Sequence, residues 1–230
     1  MLLNSETPID ESGDEPAIMF KNSQCPVVIG PNRIKAAKHL MENTDSNVIL
    51  SDDGLQHFSL GRDIEILMID GNRKFGNELL LPAGPLREPK SRIETVDFTI
   101  SSNRKWPSVA KYEMKYRPFK WVHMKSQKEY DIFDWPLKKE VNAVAGIGNP
   151  SNFFNLLKQL GFDISEYAFP DHHDFHSVDF EIMDNQPTVM TEKDAIKCSF
   201  LDHTNYWYLK IEAEVSDNFE QDFLAEIKSK

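Results

Sequence analysis

The chain has 230 residues, 40% of them hydrophobic and 27% charged, enough for one large domain or two small ones with real cores. Its 26 Lys and Arg against 37 Asp and Glu leave a formal charge of -11, which argues against any general affinity for nucleic acid or anionic bilayers. Two cysteines, Cys25 and Cys198, in no C-x-x-C pair, exclude a disulfide scaffold and a cysteine-based zinc site, and a reducing, cytosolic setting is the simplest expectation.

The first residues, MLLNSETPIDESGDEPAI, lack a basic segment followed by an apolar core and do not read as a signal peptide. No run of about twenty apolar residues occurs that would span a bilayer. Residues 1 to 16 show neither helical nor strand periodicity and read as loop. A short strand is expected at CPVVIG, then a helix at NRIKAAKHLM with Ile34, Ala37, Lys38 and Met41 on one face. NVILS reads as a buried strand, IEILMID as another and VDFTISS as a third. The segment from Gly71 to Arg92 is rich in Gly, Pro and Arg around LLLP, and a loop of that length is usually functional. KYEMKYRP and KWVHMKS read as two extended segments around a turn.

The second half opens on a strand, a glycine turn and an amphipathic helix in EVNAVAGIGNPSNFFNLLKQLGF, with Pro150 at the first helical position and Gly161 after the end. A helix around SVDFEIMD, strands at PTVMTEKDA and YWYLKIEAEV, and a terminal helix in SDNFEQDFLAEIKS capped by Ser216 complete the chain. Apolar strands alternating with helices predict an α/β fold with a parallel sheet and helices on its faces.

Asp52 and Asp53 in VILSDDGLQH would then sit at the carboxyl end of a strand, where open α/β sheets bind ligands. A hard cation such as magnesium needs carboxylate oxygens at such a point, and an Asp-Gly turn explains the same string equally well. No G-x-x-x-x-G-K-[ST] phosphate loop occurs, because none of the glycines precedes a lysine. AGIGNPS lacks the third glycine of a dinucleotide fingerprint and reads as a tight turn and helix start. In PDHHDF, histidine beside carboxylate is a common proton-transfer pairing and equally a common solvated turn. Taken alone, GDEP reads as a surface loop, and Thr191 with Asp194 in TEKDAIK as a structural helix cap.

In this order, GDEP, DDGLQH followed by LGRDIEI, LLPAGPLREP, AGIGNP, FPDHH and TEKDAIKC resemble the tetraacyldisaccharide 4'-kinase family, the lipid A 4'-kinases of Gram-negative bacteria, over nearly the whole chain. The resemblance implies an α/β fold with a P-loop-kinase-like parallel sheet core, without its first strand, P-loop and first helix. A second, smaller α/β domain would be joined to it by a β-hairpin. The corresponding boundaries are a partial core over 1–108, a hairpin linker over 109–128 and a C-terminal α/β domain over 129–230, with the terminal helix packing back on the core.

The implied activity is transfer of the γ-phosphate of ATP, with Mg2+, to the 4'-hydroxyl of a tetraacylated glucosamine disaccharide lipid, at the cytoplasmic face of the inner membrane. Asp14 would be the base and His172 its partner, with Asp171 beside it; Asp53 and Asp52 would serve the metal. Arg33, Gln56, His57, Arg87 and Glu88 would hold the head group. The family's loop commonly reads Arg-x-x-Gly-Asn-Gly, where this chain has Glu78 in the last place. The family's N-terminal P-loop region does not precede GDEP here, so the expectation is a truncated chain with little kinase activity of its own. Two other readings remain: a non-catalytic remnant that binds glycolipid or a partner, and a metal-dependent phosphoesterase built on Asp52, Asp53 and His172.

Overall fold

The computed structural model describes residues 1–183, 185–201 and 204–230. It is a mixed α/β fold whose strand pairs are mostly parallel. The chain divides into two compact units, Met1–Ile49 with Pro118–Ile211, and Leu50–Arg117 with Glu212–Lys230. Each unit is therefore discontinuous in sequence, whereas the expected boundaries at 108 and 128 run along the chain.

The first unit begins with helices α1 (Ile9–Ser12), α2 (Asp14–Ser23) and α3 (Arg33–Asn43). Residues expected to be loop thus contain one short helix and the start of another. Asp14 and Glu15 in the first turn of α2 suit the positive end of its dipole, and Gly13 enters at φ 83°, a conformation that favours glycine. In α3 the apolar face differs from expectation: Leu40 is buried, while Ile34 and Met41 are exposed. CPVVIG forms no strand, only a single bridge between Val28 and Leu2. NVILS is not a strand either. Its Val48, Ile49 and Leu50 are exposed.

The sheet of this unit is ordered β3-β8-β7-β5-β6, with β4 on the outer side of β3. It draws on β3 (Tyr112–His123), β4 (Glu129–Asp131), β5 (Glu140–Ala145), β6 (Asp163–Ala168), β7 (Thr188–Thr191) and β8 (Tyr206–Val215). The two extended segments expected around a turn are one continuous strand, β3, and the hairpin turn falls later, before β4. Val141 to Ala145 are all buried, as a strand covered on both faces requires. Helix α4 (Pro150–Gln159) carries Pro150 at its start and buries Phe153, Phe154 and Leu157 against a core that includes Val141, Val189 and Trp207. Helix α5 (Ser177–Glu181) stops short of the expected SVDFEIMD, whose last residue, Asp184, lies outside the described residues. After β7 the segment expected to remain strand turns into α6 (Glu192–Lys197), where the Thr191 hydroxyl accepts from the Asp194 amide as the cap anticipated.

The second unit holds β1 (Ile66–Asp70), β2 (Phe98–Ser102) and the start of β3, paired in parallel. Helix α7 (Asp217–Ser229) supplies Phe219 and Phe223, which meet Phe98 edge to face at 5.6 and 5.8 Å. Ser216 does not cap α7 with its side chain; the hydroxyl instead accepts from the Glu113 amide. Between β1 and β2 the long Gly-Pro-Arg loop is built of turns, with a 3-10 turn at Lys90–Thr95. Glu78 sits at φ 64°, the backbone region in which the family's usual glycine costs least, and its carboxylate pairs with Lys90 at 2.7 Å.

Candidate functional site

In the first unit the fold brings GDEP and PDHH together. Asp14 opens α2, and its side chain is only 15% exposed. Beyond the end of β6, His172 adopts φ 59°, a left-handed turn that histidine tolerates better than bulky residues. Its Nδ1 lies 3.5 Å from Asp14 Oδ2, and its Nε2 lies 3.9 Å from Asp171 Oδ1. Asp171 Oδ1 also accepts the His172 amide at 3.1 Å, which closes the turn.

The two adjacent histidines diverge. His173 bonds Asp179 at 3.0 Å and stacks on Phe169, so it is a structural residue, while His172 is left facing Asp14. A cavity of about 530 Å³ opens here, lined by Thr7, Asp10, Asp14, His172, Asp174 and Lys197. Among the described residues no group of three His, Cys, Asp or Glu side chains is arranged to hold a metal ion.

One residue of this cluster escaped sequence reasoning. Lys193, from α6, donates to Glu15 at 3.2 Å and lies 3.8 Å from Asp14 and 3.9 Å from Asp171. Burial pulls its ammonium pKa down, but the hydrogen bond to Glu15 and the charges of Asp14, Glu15 and Asp171 outweigh that, and the net shift is upward. Its neighbour Asp194 is fully buried and accepts from the Gly146 amide at 3.0 Å and the Thr191 hydroxyl at 2.6 Å. That ties the AGIGNP turn to α6. A β-carbon at Gly148 would stand 3.3 Å from Asp171 Oδ2, so the glycine lets the turn approach the carboxylate. Arg33, also in this unit, is the first residue of α3, behind an Asn32 cap whose side chain accepts from the Lys35 amide.

The second unit holds the remaining candidates. Asp52 and Asp53 stand in a turn rather than at a strand end, and Asp53 has φ 46°. Arg87 Nη1 donates to both Asp53 oxygens, at 2.7 and 2.8 Å, and reaches Gln56 Oε1 at 3.4 Å. The hydrogen bond to Asp53 raises the guanidinium pKa further. The Gln56 amide donates to Glu88, which also pairs with Arg92 Nε at 3.1 Å. Arg62 donates to the carbonyls of Gly54 and Leu55 at 2.9 and 2.8 Å, and His57 closes the turn through its amide to Gly54. DDGLQH is thus clamped by two arginines, of which Arg62, inside LGRDIEI, was not among the expected site residues. Asp53, Gln56, Arg87 and Glu88 form one network, while Asp52 remains exposed beside it.

The profile of the family described as "Tetraacyldisaccharide-1-P 4'-kinase" matches residues 1–228. A tetraacyldisaccharide 4'-kinase of Shewanella woodyi is 43% identical over 221 residues, which cover 95% of this chain and 63% of that protein. One of Legionella pneumophila (strain Corby) is 45% identical over 213 residues, 92% of this chain and 64% of its own length. The chain therefore spans slightly less than two thirds of these curated relatives. Among solved structures, the "apo" form of LpxK from Aquifex aeolicus in complex with ATP matches with a TM-score of 0.81 at 27% identity, over 98% of this chain and 73% of that one. With its fold, its ordered motifs and this match over almost its full length, the chain belongs to the tetraacyldisaccharide-1-P 4'-kinase family.

Proposed function

We propose that this chain carries the acceptor-side and carboxylate machinery of a kinase that transfers the γ-phosphate of ATP to the 4'-hydroxyl of a tetraacyldisaccharide 1-phosphate. The observation that carries this reading is the approach of Asp14 to His172 at 3.5 Å, across 158 positions of sequence, on the rim of a cavity. A sugar hydroxyl is a poor nucleophile, and a carboxylate placed to accept its proton assists attack on phosphorus. Asp14 is that acceptor; His172 orients it, and Asp171 steadies the turn that presents the imidazole. Within the second unit, a phosphorylated, hydroxyl-rich head group would find a guanidinium in Arg87, amide and imidazole donors in Gln56 and His57, and a carboxylate acceptor in Glu88.

Asp53 and Asp52 offer hard carboxylate oxygens suited to magnesium, and Asp53 already holds a cationic partner in Arg87. Bound there, the ion would supply charge neutralisation for the transferring phosphoryl group. A lipid acceptor places the reaction at a membrane surface, and we assign it to the cytoplasmic face of the inner membrane. Among the described residues no helix is long and apolar enough to cross a bilayer.

These 230 residues contain no glycine-lysine phosphate loop. Without its amides and lysine the β- and γ-phosphates are neither positioned nor neutralised. The test is a coupled ATP-consumption assay with the lipid acceptor, on the chain alone and with a supplied segment bearing such a loop. No turnover alone and acceptor-dependent turnover with the segment are expected. Turnover by the chain alone, or none in either case, overturns the reading.

A further inference from the structure

Lys193 occupies a position that the proton-transfer pair does not explain. The side chain rises from α6 and is only 20% exposed. Three carboxylates face its ammonium: Asp14 and Glu15 from the first turn of α2, and Asp171 from the turn after β6. Only the Glu15 contact, at 3.2 Å, is a hydrogen bond; those to Asp14 and Asp171 are charge contacts at 3.8 and 3.9 Å. The same two aspartates are the charged neighbours of His172.

We propose that Lys193 is a positioning residue: it gathers Asp14, Glu15 and Asp171 around one fixed cation and thereby sets whether the His172 imidazole carries a proton. The inference rests on the reading of Asp14 and His172 as the proton-transfer pair.

With the lysine present, three carboxylates share one ammonium; with it removed, the cation left beside them among the described residues is His172 itself. An imidazole beside uncompensated carboxylates holds its proton to higher pH. A protonated His172 would compete with the sugar hydroxyl for the Asp14 oxygens, so the lysine keeps the acceptor carboxylate available. The other charges near the cavity are otherwise engaged or more open. Lys197 donates to the His173 carbonyl at 3.0 Å, Glu192 accepts from Asn22 at 3.0 Å, and Asp174 is 91% exposed beside His176. Asp10 lines the cavity from α1.

The frame around Lys193 is fixed from several sides. The far end of α2 is anchored by Lys21, which donates to the Tyr208 hydroxyl at 3.1 Å, and α6 is tied to the Gly146 turn through Asp194. The ammonium therefore works from a rigid base.

The experiment is a histidine imidazole NMR titration of the 230-residue chain, with the His172 resonance assigned by His172→Gln. It needs no ATP turnover, so failure of the kinase reading does not decide it. In Lys193→Met the His172 midpoint is expected to rise by about one pH unit, and in Lys193→Arg to stay near the parent value. A midpoint unchanged within about 0.2 units in Lys193→Met, or moved equally in Lys193→Arg, overturns the proposal. Should Lys193→Met fail to fold, Glu15→Gln, at an exposed side chain, gives the converse reading. The ammonium then loses its hydrogen-bonded counter-charge, the His172 midpoint must fall, and an unmoved midpoint overturns the proposal.

Discussion

Replacing Asp194 with alanine removes the carboxylate that joins α6 to the end of β5. Asp194 is fully buried, and its Oδ2 accepts from the Gly146 amide at 3.0 Å and the Thr191 hydroxyl at 2.6 Å. Its Oδ1 makes no hydrogen bond but stands 3.3 Å from the Lys197 ammonium, so its stabilisation is by charge. Hydrogen bonds to a charged group contribute about 1.5–3 kcal/mol each, and alanine leaves the buried Gly146 amide without this acceptor. Removing one partner of a buried ion pair costs about 3–5 kcal/mol, and the two estimates agree on a loss near 4 kcal/mol. Asparagine keeps the shape and one acceptor oxygen, and about half that loss is expected.

The assay is urea unfolding followed by tryptophan fluorescence in a Trp106→Phe background, which confines the signal to Trp121, Trp135 and Trp207 of the first unit. With a urea slope of about 2 kcal/mol per molar, the alanine midpoint falls by about 2 M. A fall of less than about 0.3 M would refute the view that this carboxylate holds the AGIGNP turn.

Three further outcomes are expected. Gly71→Ala places a β-carbon 1.8 Å from the Arg104 carbonyl oxygen, a backbone clash that must displace the end of β1 or the turn after β2; a loss above about 2 kcal/mol by Trp106 fluorescence is the check. Cys198 is buried, and burial pushes its thiol up to about 12, so a disulfide reagent at neutral pH labels exposed Cys25 and reaches Cys198 only on unfolding. The hydrogen bond from the His176 amide, outweighing burial, holds the Asp179 carboxyl below its usual range. A carboxylate depressed in the folded state contributes stability above its unfolded pKa and loses it as pH falls through the folded value. Asp179→Asn should therefore flatten the acid limb of the stability profile below about pH 4, as read by urea midpoints; an unchanged slope removes the assignment.

Regular elements were legible where pattern and pairing agree. The apolar run of β8, the proline-started α4 and the Thr191–Asp194 cap all follow from local chemistry, and all three form. NVILS shows the limit of such reading: an apolar run becomes a strand only when it joins a ladder of backbone hydrogen bonds, and this one is not a strand of the sheet. The acidic start misled in the opposite direction, since α2 takes its stability from its dipole and from polar contacts to α6 rather than from an apolar stripe. Of the site, the motif residues were legible as strings and Lys193 was not. TEKDAIK announces a cap, and only the fold reveals that the lysine inside it faces GDEP.

The Asp53–Arg87 pair carries a consequence for ligand order. Each group is now the other's counter-ion, through both carboxylate oxygens. A dication that claims Asp53 releases a guanidinium; an anion that claims Arg87 releases a carboxylate. On the proposed assignment, a metal at Asp53 and a phosphorylated ligand at Arg87 would therefore bind with positive cooperativity, each easing the entry of the other. Linkage requires the gain to be equal from either side.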